Sequence, residues 1–113
     1  MAESVIPVTL ARTAAEAGYQ LLRKLGEGGM GSVYLARDDS GRELALKFLD
    51  DTEERSEQRF LREAEMLARL SAHPNIVAIH RYVDGPRPFM ALTYVAGALI
   101  SLVDLARWIR LLR

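Results

Sequence analysis

The 113-residue sequence contains no cysteine, which excludes both a disulfide framework and a thiolate metal site. Histidine is nearly as scarce: His73 and His80 are the whole supply, and they are too few for a zinc centre. Net charge is missing as well, because fifteen Lys and Arg are balanced by fifteen Asp and Glu. A chain without an overall field has no electrostatic footprint for nucleic acid, so no nucleic-acid partner is expected. Long apolar runs are absent too. Phe89 to Val103 is about fifteen residues and is interrupted by Thr93, Gly97 and Ser101, whereas a membrane-spanning helix needs ~20. That stretch reads as buried or interfacial, and a membrane role is not expected. The first residues, Met1-Ala2-Glu3-Ser4-Val5, lack the basic and then apolar regions of a secretory signal, so the expected location is cytoplasmic.

Half of the residues are apolar, enough for one packed core in a chain of this size. Residues 1–18 show no sustained period and read as a flexible leader with one helical turn around Thr13 to Ala17. Tyr19 to Leu25, Ser32 to Arg37 and Glu43 to Leu49 read as a three-stranded antiparallel meander, punctuated by Gly26-Glu27-Gly28-Gly29-Met30-Gly31 and Asp38-Asp39-Ser40-Gly41. Thr52 is placed to cap a helix running to about Leu70. Its acidic first turn, Glu53 and Glu54, suits the positive end of the dipole, and Phe60, Ala64, Leu67 and Ser71 form its sheet-facing sector. Ala72-His73-Pro74-Asn75 breaks that helix. Ile76 to Val83 and Pro88 to Val95 predict two more strands, and Leu102, Leu105, Ile109 and Leu112 mark a C-terminal helix from Ala98. The expected fold is α+β: a five-stranded antiparallel sheet with one packed helix and a C-terminal helix, divided as 1–18, 19–97 and 98–113.

The glycine segment satisfies G-x-G-x-x-G, a weak pattern by itself. A dinucleotide-binding loop would lead directly into a helix, but Ser32 to Arg37 alternates like a strand. A phosphate loop of the Walker type would have Lys followed by Ser or Thr after its last glycine, and here Ser32-Val33 follows Gly31. A third arrangement remains, a glycine turn between antiparallel strands folded over a nucleotide, with bare backbone N–H groups approaching phosphate. Such a turn needs a cation beneath it. Lys47 lies among apolar residues on the third strand, on the same face as Ala45. On the helical wheel Glu63 falls between Leu67 and Leu70, inside the sheet-facing sector, whereas Arg62 and Glu65 do not. A carboxylate buried there requires a countercharge, and Lys47 is the candidate.

Leu25 to Tyr34, Ala45-Leu46-Lys47, Arg62-Glu63-Ala64 and His73-Pro74-Asn75-Ile76-Val77 closely resemble, in order and spacing, the N-terminal lobe of bacterial Ser/Thr protein kinases. The resemblance runs from about Tyr19 to Gly97. It implies ATP as ligand, with Gly26, Gly28 and Gly31 in the phosphate-covering loop, Lys47 on the α/β-phosphates and Glu63 as its helix partner. It also implies an adenine pocket lined by Leu25, Val33 and Ala45, a gatekeeper at Leu92 and a hinge over Thr93 to Val95. Thr93 departs from the acidic residue usual there, which matters little if backbone atoms bind the base. The family continues beyond its hinge into a lobe bearing H-R-D, a metal-binding Asn and D-F-G. These 113 residues contain none of those motifs, so no catalytic or metal-binding residue is assigned, and magnesium is expected only if a second lobe supplies its ligands. Two functions stay open: the ATP-gripping part of a Ser/Thr kinase whose other lobe comes from elsewhere, or a non-catalytic nucleotide- or partner-binding module. A missing C-lobe, a partner chain or a homodimer mate are the partners these readings allow. Residues 98–113 fit the first helix of a further lobe, a helix folded over the hinge, or a membrane-surface or partner-binding helix.

Overall fold

Alternation along Leu44 to Leu49 sends successive side chains to opposite faces of the sheet, and both faces are covered. The computed structural model describes residues 6–28, 31–50, 53–70 and 78–94. Within them the order is α1 (Val8–Glu16), β1 (Tyr19–Gly28), β2 (Gly31–Asp38), β3 (Glu43–Leu49), α2 (Glu54–Leu70), β4 (Ile79–Val83) and β5 (Phe89–Thr93). The five strands form one antiparallel sheet in the order β1-β2-β3-β5-β4. Leu44, Leu46 and Phe48 join Tyr34, Phe89 and Ala91 in one apolar cluster, while Ala45 and Leu49 join Val33, Met90 and Leu92 on the other face. α2 covers that second face with Phe60, Ala64 and Leu67, as its sequence period requires.

The first face is closed by α1, so the flexible-leader reading of residues 1–18 is corrected over this helix. Leu10 and Ala14 are buried in the first cluster, with Ile6 and Ala17 packed beside it. Nine residues with one buried i, i+4 pair carry too little periodicity to stand out, and so short a helix is marginal in water without tertiary packing. It ends where Gly18, at φ +94°, turns the chain into β1. Thr52, residues 71–77 and residues 95–113 lie outside the described residues, and with them the predicted cap, the His73-Pro74 break, the start of the fourth strand and the C-terminal helix.

The β2–β3 turn is built around one carboxylate. Asp38 Oδ1 accepts from the Ser40 hydroxyl at 2.7 Å and from the backbone N–H groups of Ser40 and Arg42 at 3.0 and 2.9 Å, while Oδ2 accepts from Arg42 Nε at 3.1 Å. The Ser40 hydroxyl, followed by the Arg42 and Ser40 N–H groups and the Arg42 guanidinium, lowers the Asp38 carboxyl from 3.8 to about 2. A depressed carboxyl pKa means that the stabilisation is complete above the unfolded value and fades as pH falls through the folded one. The chain is therefore expected to lose stability between about pH 3.8 and 2 through this turn. Acid unfolding of Asp38→Asn checks it: that variant should lack this part of the slope, and an unchanged slope would contradict the assignment.

Candidate nucleotide site

A single cross-strand row organises the site. Gly26 pairs with Val33, Val33 with Lys47, and Lys47 with Met90. Residues directly opposite in an antiparallel pair share a face, so the Lys47 side chain emerges beside Val33 on the α2 side, next to the strands that carry the glycine turn. There its Nζ donates to Glu63 Oε1 at 2.6 Å. The two side chains are only 3% and 6% exposed, so water does little to screen them. Each explains the other: a lysine facing an apolar layer and a glutamate on the buried sector of a helix would be costly apart.

The glycine segment is narrower than its composition suggests. The β1–β2 ladder continues through Glu27 opposite Ser32 and Gly28 opposite Gly31, so the strands enter the motif instead of stopping at Leu25 and Ser32. Gly29 and Met30 lie outside the described residues. Gly31 is required by the sheet itself, since a Cβ there would come within 2.0 Å of the Phe48 carbonyl oxygen. Lys24 and Glu27 form an ion pair on the first arm of the turn.

Leu25, Val33, Ala45 and Leu92 converge in one apolar cluster with Met90 and the α2 residues. Val33, Ala45 and Leu92 are buried and Leu25 is partly so. Thr93 ends β5; its N–H donates to the Ala78 carbonyl at 2.9 Å, and its hydroxyl meets His80 Nε2 at 2.8 Å. Val95 falls outside the described residues. Among those described, no group of three or more His, Asp or Glu side chains gathers as a metal site, and no helix is long and apolar enough to cross a membrane.

One bracket escaped the sequence reading. Ser32 Oγ donates to Asp50 Oδ1 at 3.1 Å, tying the exit of the glycine turn to the end of β3, and Arg87 reaches the Asp50 carbonyl at 3.5 Å. Partners 18 and 37 residues apart meet only because of strand register, which no local pattern announces.

A glycine-rich β1–β2 connection beside a buried, ion-paired lysine is the arrangement of a lobe of the protein-kinase type. The comparisons place it: the protein kinase domain model matches residues 19–109, and the chain belongs to that family. It is 47% identical over 87 residues to the serine/threonine-protein kinase PknJ of Mycobacterium tuberculosis, covering 72% of this chain and 14% of PknJ. The DNA damage-responsive serine/threonine-protein kinase RqkA of Deinococcus radiodurans is 43% identical over 88 residues, covering 74% of this chain and 13% of RqkA. Serine/threonine-protein kinase PknD of Chlamydia trachomatis is 42% identical over 84 residues, 70% of this chain and 9% of PknD. The chain thus spans a small fraction of these relatives, and the matched segment holds the five-stranded α+β sheet and α2. It is a portion of a kinase domain homologous to Ser/Thr kinases over the N-terminal lobe, and the family implies ATP as substrate.

Proposed function

We propose that this lobe grips ATP for phosphoryl transfer to protein Ser or Thr in an intact kinase. The observation that carries the reading is the buried Lys47–Glu63 pair in the row next to the glycine turn. In this reading the backbone of Gly26, Gly28 and Gly31 covers the phosphates, and Lys47 neutralises the α/β-phosphate oxygens. Glu63 holds the ammonium in place, so little reorganisation is needed when charge arrives. Leu25, Val33, Ala45 and Leu92 offer an apolar slot for the base. With the Thr93 N–H already committed to Ala78, Thr93 has its carbonyl oxygen left for a base edge. The cellular setting is proposed to be cytoplasmic.

Catalysis and metal binding are assigned to residues outside these 113, since phosphoryl transfer depends on a positioned catalytic Asp and metal-held phosphates. The polypeptide alone is therefore expected to bind ATP weakly, with a dissociation constant of about 1 mM or poorer, because the described residues supply one wall of the cleft. It should incorporate no phosphate into a generic protein substrate. Titration calorimetry and a radiolabel assay with ATP and magnesium check both. Micromolar affinity would show that another part of the chain or a second copy closes the cleft. Phosphate incorporation that survives repurification and vanishes in Lys47→Met would overturn the division of labour.

A further inference from the structure

We infer that Arg81, on the opposite edge of the sheet from the glycine turn, is a positioning residue for Lys47. β1 and β4 are the two edges of the sheet, yet Arg81 of β4 donates from Nη1 to the carbonyl of Ala17, just ahead of β1, at 3.0 Å. The sheet is curled far enough for the long Arg81 side chain to bridge its two edges, and it does so at the C-terminal end of α1, where exposed carbonyls favour a cation.

From that clasp a continuous column of rings leads inward. The Arg81 guanidinium carbon lies 6.0 Å from the centre of the Tyr19 ring. Tyr19 meets Phe89 edge-on at 6.0 Å, and Phe89 packs on Phe48 at 4.9 Å. Phe48 is the chain neighbour of Lys47 and the register partner of Phe89. Leu10 and Ala14 of α1 belong to the same cluster. Phe48 and Lys47 thus emerge from adjacent positions of β3 to opposite faces, so the face under α1 and the clasp supports the strand that presents the ammonium to Glu63. Release of the clasp frees α1 and the edges of the curl, and the opening of β3 that exposes Lys47 then becomes easier.

The chain has only two lysines, Lys24 and Lys47, which makes the test direct. Amine acylation followed by peptide mass spectrometry reads each of them, with partly exposed Lys24 as internal reference. In Arg81→Met the labelling of Lys47 relative to Lys24 is expected to rise roughly fivefold or more while the far- and near-ultraviolet circular dichroism stays native. Arg81→Lys, which keeps a donor for the Ala17 carbonyl, should restore most of the protection; a merely bulky or apolar role would not be rescued this way. Unchanged Lys47 labelling in folded Arg81→Met overturns the inference. Should that variant lose its native dichroism, Tyr19→Leu, which interrupts the column and keeps the site apolar, is read by the same ratio and the same criterion. The functional meaning rests on the proposed role of Lys47, but the labelling uses no nucleotide. Failure of the clasp and failure of ATP binding are therefore separate results.

Discussion

Lys47→Met is expected to cost ~3–5 kcal/mol of folding stability, and Glu63→Leu a similar amount, whereas the double variant should be close to neutral. The reason is the burial of the pair. Each charge is held 2.6 Å from its partner with almost no access to water, so deleting one leaves the other desolvated and unpaired. Deleting both removes the desolvation cost together with the attraction, and the apolar replacements extend the cluster of Val33, Ala45 and Phe60. Chemical denaturation of the two singles and the double forms a cycle whose cross term isolates the pair. Additivity within ~0.5 kcal/mol would mean that the charges do not meet in solution.

Gly31→Ala is expected to destabilise the chain by ~3 kcal/mol, at the upper end of overpacking effects, even with no nucleotide present. The obstructing atom is the backbone carbonyl oxygen of Phe48, 2.0 Å from the new Cβ. No rotamer relieves such a clash; β2 and β3 must separate where Gly31 faces Leu49 and Ser32 faces Phe48. Gly41→Ala provides the contrast. That residue sits at φ +87° with nothing within 4 Å of the added atom, so its cost is the ~1 kcal/mol of a strained backbone. Urea midpoints of the two variants separate the causes. If Gly31→Ala were as stable as the parent and lost only nucleotide affinity, its glycine would serve phosphate approach and not strand packing.

Much of this lobe was legible because its signals are local. Glycine and Asp-Ser-Gly punctuation marks the meander, and Glu43–Leu49 occurs as a strand with the bounds its alternation predicts. Glu63 could be placed on the buried side of α2 from the helical wheel alone, because its neighbours Phe60, Ala64 and Leu67 fix that side. What escaped depends on distant pieces meeting. α1 buries a single i, i+4 pair, so its helix exists by virtue of the curled sheet beneath it. The insertion of β5 between β3 and β4 has no local marker, and from it follow the Arg81–Ala17 and Arg87–Asp50 contacts. The strands also run further into the glycine motif than the residue types suggest. Ladder hydrogen bonds belong to the backbone and form whether or not a side chain is present.

The mutual burial of Lys47 and Glu63 also shapes how such a lobe can change under selection. If a copy of the gene no longer needs to transfer phosphate, mutation is free to remove the lysine or the glutamate as far as chemistry is concerned. Each single step, however, passes through a protein less stable by several kcal/mol, of the order of the whole margin of a small domain. Escape then requires two substitutions together, or a stabilising change beforehand. The pair is expected to outlast any phosphoryl-transfer activity, and its presence in a sequence testifies to an intact fold before it testifies to an active enzyme.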